Sequence, residues 1–569
     1  MDFFEKYQYH ILVSLLLLMF ILGAWSMAGD SLTIDETAHL PAGYTYWKEG
    51  DYRLNPEHPP LMKLMAGFPL LFLDTTYDTG KSWQENDQWE FGRRFFFLHN
   101  LEHKDQILFW GRMPILLCGV FLCFIVFLFA RDLYGIKAGL LAAFLTALSP
   151  NILAHSRYVT TDLGVTLFYF LSVYLFWKFL QDSTLKKSIL LGLGIGGSIA
   201  SKFSGIFILP TLGILLLVWI FVNDNKKENS WKEKIPAIKK ILKKGMISIS
   251  IAVLFILLCY QVVNIGTFFI GLQHVTQHSE LGHASYLFGE HSFQGWWYYF
   301  PVAMFFKTPL ATIALLVATI LLWKKIPGKS WKNELFLIIP FALYLLVFMI
   351  NHINIGLRHI LPVYPFLFVF ISKIVNAEWK EKIKKKLFYA FLIIILTSYV
   401  VSHLFIMPQY LAYFNIAAGG PIHGKEILLD SNLDWGQDVK RVANYLNSHG
   451  IKEVNIKFFG HEPIEIYGIK AKELGCTPLS GIAVISVNAL MGLEEYYSNC
   501  YSWLRNLDPI AIPGYSAYIY NVTQVDELTE KNALCEQGCR QRCSDQFLIF
   551  RNSTLHPETG KCSCNCEKD

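Results

Sequence analysis

Long apolar runs recur along the chain up to about residue 407, and they constrain the fold more than any other feature. Each approaches the roughly 20 residues that a helix needs to cross the hydrocarbon core of a bilayer. With 53% hydrophobic and only 17% charged residues, the chain is too apolar for an ordinary soluble protein. We therefore predict an all-α polytopic membrane protein with about eleven transmembrane helices. The predicted spans are residues 11–29, 112–130, 138–154, 162–180, 188–202, 204–222, 246–270, 308–323, 333–350, 360–375 and 387–407.

Basic residues divide the loops between these spans into two sets. Five alternate loops between residues 131 and 386 contain 23 Lys or Arg, whereas the opposing short loops contain only Arg157, Lys202 and Arg358. Because Lys and Arg accumulate in cytoplasmic loops, we predict a cytoplasmic N-terminus. The loops 30–111 and 271–306 and the region after 407 then lie outside the cell membrane. The net charge of +5 indicates contact with lipid headgroups and not with nucleic acid.

Acidic and basic residues are concentrated in the first long loop, residues 30–111. Asp35 and Glu36 are adjacent carboxylates about one helical turn beyond the first apolar run. Desolvation near a membrane raises the pKa of a carboxyl and suits it to base work or to metal binding. Positive charge on His58 and Lys63 would favour the binding of an anionic ligand nearby. The alternative is that Asp35 and Glu36 only provide negative charge at the N-terminus of a helix.

Further charged residues occur at the same predicted face, next to the ends of spans. Arg112 opens the second span, Asp162 begins the fourth, and Lys202 separates the fifth from the sixth. Lys307 and Arg358 precede two later spans. A charge at such a position is costly unless it is paired or used in binding, so all five are candidates for a functional site. Simple interfacial anchoring of Arg112 and helix capping by Asp162 are the alternatives.

The charged motifs resemble those of protein O-mannosyltransferases and their bacterial relatives, which have the GT-C fold of lipid-carrier-dependent glycosyltransferases. The core of the resemblance is Asp35-Glu36 after a first span, followed by His58-Pro59-Pro60-Leu61-Met62-Lys63-Leu64. The sequences around Arg112, Asp162, Lys202, Lys307 and Arg358 are also similar to that family. The resemblance extends to about residue 522.

The resemblance implies a mannosyltransferase-like hexosyltransferase that uses a polyprenyl-phosphate-linked sugar as its donor. The acceptor would be a hydroxyl of an unidentified protein, lipid or glycan at the outer membrane face. Asp35 would be the catalytic base, aided by Glu36, with Asp162 as a second acidic residue. A divalent cation such as Mg²⁺ or Mn²⁺ would suit these oxygen ligands, although the sequence does not require one. The residues expected to bind the lipid phosphate are His58, Lys63, Arg112, Lys202, Lys307 and Arg358.

Two other classes of function are compatible with a membrane protein of this kind. A transporter or flippase of lipid-linked sugar would bind the same donor without chemistry, and a surface protein would use its outer domain to bind a partner. Transporters usually carry ionisable residues near mid-membrane and contain internal repeats. Here the candidate charges are at the ends of spans and no repeated half is visible, which favours the transferase.

The chain changes character after the last span, and three domains are predicted. Residues 1–407 form the transmembrane domain, 408–525 a small extracytoplasmic α/β domain, and 526–569 a cysteine-rich tail. Alternating apolar patterns predict strands in the second domain, with one helix between the first two. The predicted strands are 427–430, 454–459, 482–487 and 517–520, and the helix is 438–449.

Eight cysteines lie in these two outer regions, where disulfides are permitted. Their number allows 105 pairings, and the close spacings in the tail would also suit a soft metal ion. Cys535, Cys539 and Cys543 would line one face of a helix, whereas Cys562, Cys564 and Cys566 would point to one side of an extended segment. We therefore predict that these two sets pair with each other and that Cys476 pairs with Cys500.

Overall fold

The computed structural model describes residues 3–222, 231–327, 331–493 and 500–523, and in the tail residues 535, 538–539, 542–543, 549–556 and 561–567. The helices up to residue 201 are α1 (Phe3–Met27), α2 (Ile34–Glu49), α3 (Leu61–Gly67), α4 (Lys81–Gln84), α5 (Gln88–Arg94), α6 (Lys104–Tyr134), α7 (Ile136–Ala147), α8 (Pro150–His155), α9 (Asp162–Gln181) and α10 (Leu185–Ser201). The later helices are α11 (Ile208–Val222), α12 (Trp231–Cys259), α13 (Gly266–Leu281), α14 (Tyr299–Lys307), α15 (Leu310–Leu321), α16 (Trp331–Met349), α17 (Val363–Ser372), α18 (Lys382–Ile406), α19 (Val439–Ser448), α20 (Val487–Leu490) and α21 (Ser502–Arg505).

Within the described residues, seven helices are long and apolar enough to cross a membrane. The pair α14–α15, bent by 106°, would make an eighth. The predicted number of about eleven also counted α7, α10 and α17 as full spans. These helices have 12, 17 and 10 residues, which at 1.5 Å per residue is shorter than the roughly 30 Å hydrocarbon core. The predicted class, a helical integral membrane protein with a small C-terminal α/β domain, is confirmed.

Helix α2 packs unusually closely on α3, and glycine makes this approach possible. A Cβ atom added to Gly43 in α2 would lie 2.0 Å from the backbone carbonyl oxygen of Lys63 in α3. A Cβ atom added to Gly67 would likewise lie 2.3 Å from the backbone carbonyl carbon of Gly43. Glycine at both positions therefore lets the backbones touch, and this contact sets the direction of α2, which carries Asp35 in its first turn.

The C-terminal domain contains a four-stranded sheet with the order β4-β3-β5-β6. Strands β4 and β5 run parallel to β3, and β6 runs antiparallel to β5. Apolar residues of α19, such as Val442 and Leu446, pack with β3, β5 and β6 in a small core. The strands, with the hairpin β1–β2 of the long loop, are β1 (Ser285–Leu287), β2 (Glu290–Ser292), β3 (Glu453–Lys457), β4 (Lys470–Glu473), β5 (Gly481–Ser486) and β6 (Ala517–Val522).

The predicted strand at 427–430 is wrong, because this segment does not join the four-stranded sheet. Leu428 forms only a single antiparallel bridge with Leu287, and a 3-10 turn begins at Asp430. Upstream, the Asn415 amide donates hydrogen bonds to the carbonyls of Phe305 and Thr308 at α14. Asn415 therefore contacts α14, whereas Asp438 further along accepts a hydrogen bond from Ser516 next to β6. The predicted domain boundary at residue 408 stays a prediction.

The predicted disulfide pairing is confirmed. Cys476 is bonded to Cys500, and in the tail the pairs are Cys535–Cys562, Cys539–Cys564 and Cys543–Cys566. The described residues between 535 and 543 are helical. The partner cysteines lie on β8 (Lys561–Glu567), which pairs antiparallel with β7 (Ile549–His556). The three bonds therefore join one helical stripe to one strand.

The close contact between α2 and α3 predicts that Gly43→Ala lowers the thermal stability of the detergent-solubilised protein. The new methyl group would overlap the Lys63 carbonyl, and such overpacking costs about 1–3 kcal/mol. Gly213→Ala is the matched control, because no atom lies within 4 Å of its added Cβ and alanine favours a helix. Equal melting temperatures for the two variants would contradict the proposed contact.

Candidate active site

Glu36 holds the N-terminal end of α2 in place. Its neighbour Asp35 does not take part in these bonds and contacts Arg358 instead. Glu36 Oε2 accepts hydrogen bonds from the backbone and side chain of Thr33 at 3.0 and 2.9 Å. Both carboxylate oxygens also bind Arg112, at 2.7 and 2.6 Å, and Val159 N donates to Oε1 at 2.9 Å. Glu36 is fully buried, so its role here is to fix the first turn of α2.

Asp35 belongs to a row of alternating charges that we call the charged cluster: Asp35, Arg358, Asp162 and Lys202. Arg358 Nη1 lies 2.6 Å from Asp35 Oδ2 and 3.9 Å from Asp162 Oδ2. Lys202 Nζ lies 2.5 Å from the other oxygen of Asp162. The structure therefore brings together four predicted site residues from α2, α9, the break after α10 and the 3-10 turn Leu357–Ile360.

The C-terminal region holds Arg358 in place, which the sequence did not predict. The Arg358 guanidinium lies over the Trp435 ring, 4.2 Å from its centroid. Asn432 Oδ1 accepts a hydrogen bond from Leu357 N, and Ser431 Oγ donates to the Ile355 carbonyl.

Asp430 is a further carboxylate next to the charged cluster. It interacts electrostatically with Arg358, His283 and Asp35, and burial raises its pKa. Its φ of +57° is uncommon for a residue other than glycine. Strained conformations of this kind concentrate at functional sites. Asp430 therefore adds a third acidic side chain to the surroundings of Arg358.

Three buried or half-buried histidines lie near the charged cluster, and burial favours their neutral form. The pKa of His58 lies well below its ordinary value because of burial and, to a smaller extent, because of the neighbouring His39 and Lys202. Burial also lowers the pKa of His155 to about 3 and that of His359 well below its ordinary value. His58, whose ring centroid is 5.1 Å from that of His39, therefore does not supply the positive charge that the sequence analysis assigned to it.

Buried nitrogen atoms without hydrogen-bond partners indicate a ligand-binding site at the charged cluster. Among the described residues, Arg358 Nε, His155 Nδ1 and His359 Nε2 are buried nitrogens without a hydrogen-bond partner. Both histidines are within electrostatic reach of Asp162 and Arg358. Buried polar atoms are nearly always hydrogen-bonded. Three such atoms around one pair of cations are therefore consistent with a site that is completed by an anion.

Three of the predicted phosphate-binding residues lie outside the charged cluster and donate hydrogen bonds to other parts of the protein. Arg112 makes five hydrogen bonds, to Glu36 and to the carbonyls of Met27, Asp30 and Ser31. Lys63 donates to Tyr46, to Asn55 and to the His58 carbonyl. Lys307 donates to the carbonyls of Leu411 and Asn432. In this structure all three hold loops in place, and their predicted role beside the phosphate stays a prediction.

The acidic residues do not form a preorganised metal centre. Within the described ranges, no group of three or more His, Cys, Asp or Glu side chains could hold a metal ion. Asp35 is instead paired with Arg358, and Asp162 with Lys202. The divalent cation considered from the sequence stays an untested prediction.

The fold and the charged cluster define an integral membrane protein with a polar site at one end of its helices. Residues 105–242 match the family model of dolichyl-phosphate-mannose-protein mannosyltransferase. This match includes Arg112, Asp162 and Lys202, and it confirms the predicted resemblance for that part of the chain. A search of curated proteins gives no match.

Solved structures with similar chains include the following three. ArnT from Cupriavidus metallidurans, bound to undecaprenyl phosphate, is 12% identical with a TM-score of 0.49, over 89% of this chain and 97% of that one. The oligosaccharyltransferase of Archaeoglobus fulgidus is 12% identical with a TM-score of 0.47, over 83% and 65%. The S. cerevisiae protein O-mannosyltransferase Pmt1-Pmt2 complex, bound to the sugar donor, is 17% identical with a TM-score of 0.32, over 47% and 34%.

The low pKa of His155 predicts a pH-dependent stability. In the unfolded chain this histidine takes up a proton below about pH 6.5, whereas in the folded protein it stays neutral down to about pH 3. Folding stability is therefore lost as the pH falls from about 6.5 towards 3, at up to about 1.4 kcal/mol per pH unit. His155→Gln should lose less thermal stability than the parent between pH 7.5 and 5.5. Parallel pH curves would contradict this assignment.

Proposed function

We propose that this protein is a glycosyltransferase that takes a sugar from a polyprenyl phosphate and transfers it to an acceptor hydroxyl. The observation that carries the proposal is the charged cluster, in which a partly accessible carboxylate, Asp35, directly adjoins the largely buried cation Arg358. A second cation, Lys202, lies on the far side of Asp162. Glycosyl transfer from a phosphate needs both a base and stabilisation of the departing phosphate. The family-model match over residues 105–242 supports the same class of enzyme.

In the proposed reaction, Asp35 accepts the proton of the acceptor hydroxyl. The acceptor oxygen attacks the anomeric carbon of the sugar while the bond from that carbon to the phosphate oxygen breaks. The electron pair of this bond leaves with the polyprenyl phosphate, whose charge is stabilised by Arg358 and Lys202. Attack opposite the leaving phosphate inverts the anomeric centre. Neutral His155 and His359 are suited to hydrogen-bond the phosphate without adding charge.

The proposed side of the membrane follows from the charge of the loops. The 23 basic residues of the alternate loops are assigned to the cytoplasm, so the charged cluster and the C-terminal domain face outwards. A lipid-linked donor suits this side, because its sugar is delivered with the carrier in the membrane. The mannosyl group is the proposed sugar on the basis of the family description, and the acceptor is proposed only as a hydroxyl.

Asp35→Asn should reduce sugar transfer at least 100-fold, because general-base catalysis contributes about 10²–10⁴-fold. The assay follows labelled sugar from a polyprenyl-phosphate donor to product in proteoliposomes. Asp51→Asn is the matched control, since Asp51 is an acidic residue of the same loop with an exposed Arg53 partner. Full turnover by Asp35→Asn would remove Asp35 from the base role. Movement of intact donor without product would instead indicate a transporter.

Lys202 should contribute to donor binding, and a paired comparison isolates this contribution. Removal of Lys202 alone would leave the buried Asp162 without its closer ion partner, which is destabilising. Asp162→Asn therefore serves as the reference, and Asp162→Asn/Lys202→Gln as the test. A hydrogen bond to a charged group is worth about 1.5–3 kcal/mol, so the test protein should bind a short polyprenyl phosphate about 10–100-fold more weakly than the reference. Equal dissociation constants would exclude Lys202 from the phosphate site.

A further inference from the structure

The segment that leads into Asp35 is bonded along its length to the C-terminal region. Ser31 N donates to the Gln437 carbonyl at 2.9 Å, and Ile34 N donates to the Trp435 carbonyl at 3.0 Å. In the reverse direction, Lys440 N donates to Ser31 Oγ at 2.7 Å. These hydrogen bonds resemble those between neighbouring strands of a sheet. They fix the backbone immediately before the first turn of α2.

Glu462 of the C-terminal domain holds the same segment through a side chain. Its Oε2 accepts a hydrogen bond from Leu32 N at 2.8 Å, three residues before Asp35. Its Oε1 accepts from Lys104 Nζ at 2.9 Å and also from the Tyr467 hydroxyl. The Glu462 side chain is completely buried. A buried carboxylate with these bonds forms a firm attachment between the two domains.

Arg441, on α19, makes a second attachment through Asp30. Arg441 Nη2 lies 2.5 Å from Asp30 Oδ1, and its other terminal nitrogen binds Asp438. The second oxygen of Asp30 binds Arg157 at 3.0 Å and the Tyr158 hydroxyl at 2.7 Å. Burial raises the pKa of Asp30, but the neighbouring arginines more than offset this and hold it below its ordinary value. Asp30 therefore joins the C-terminal domain to the loop before α9.

We propose that Glu462 and Arg441 are positioning residues for Asp35, so that the C-terminal domain completes the active site. This inference rests on the proposed function. Asp35 is the second residue of α2, and the bonded segment ends directly at the first residue, Ile34. Catalytic groups must be held to about 0.5 Å, and small misplacements cost up to about 10²-fold in rate. Loss of an attachment therefore acts on the reacting geometry and not on the donor site around Lys202.

Glu462→Leu tests the proposal, with Glu462→Gln as the conservative variant. The leucine side chain cannot accept a hydrogen bond from the Leu32 amide, whereas the glutamine side-chain oxygen still can. Lys104 retains Asp105 as a partner at 3.0 Å in both variants. We expect kcat to fall at least 10-fold in Glu462→Leu with the donor KM within twofold of the parent, and Glu462→Gln to restore most of kcat. Glu453→Leu, which alters an exposed carboxylate of the same domain, should leave both constants unchanged.

Hydrogen exchange provides a readout that does not depend on activity. The amide of Leu32 should exchange faster in Glu462→Leu than in the parent, while peptides from β3 and β5 keep their protection. Unchanged kcat in Glu462→Leu, or an equal loss of protection throughout the domain, would overturn the positioning role. These outcomes differ from failure of the proposed function, which would appear as absence of transfer by the parent protein itself.

Discussion

The buried ion pair between Glu36 and Arg112 is the interaction on which the site depends. Both side chains are almost completely inaccessible, and loss of either partner would strand a charge at a cost of about 3–5 kcal/mol. Glu36 connects the start of α2, helix α6 and the loop before α9. Arg112 also donates hydrogen bonds to backbone carbonyls of the segment that joins α1 to α2. Two adjacent carboxylates thus have separate tasks: Glu36 secures the helix, and Asp35 faces the charged cluster.

Within the charged cluster, carboxylates and cations neutralise each other before any ligand is bound. Arg358 is shared by Asp35 and Asp162, and Lys202 binds Asp162. An arriving phosphate would compete with these carboxylates for the same cations. In our account, its binding withdraws Arg358 from Asp35 and leaves this carboxylate free to contact the acceptor hydroxyl. The site would then be activated by its own donor, because the phosphate replaces the internal anion.

Residue type and membrane position were sufficient to select the members of the charged cluster, whose catalytic role stays a prediction. Asp35, Asp162, Lys202 and Arg358 are each costly charges at the ends of apolar runs, and they meet in the structure. The same argument could not distinguish Lys63, Arg112 and Lys307, since a cation that holds backbone carbonyls has the same sequence signature as one that awaits a phosphate. The contact between Trp435 and Arg358 was missed because the two residues are far apart in the sequence, and hydrophobic periodicity indicates only local structure. The cysteine pairing was predictable because both sets of thiols have a regular spacing.

The most direct test of this account is an experimental structure with a short-chain polyprenyl phosphate bound. The account predicts phosphate oxygens about 3 Å from Lys202 Nζ and from the Arg358 guanidinium, with the contact between Arg358 and Asp35 opened. Glu36 and Arg112 should remain paired as they are at 2.6 Å here. A phosphate bound elsewhere, with Asp35 still paired to Arg358, would contradict the central claim.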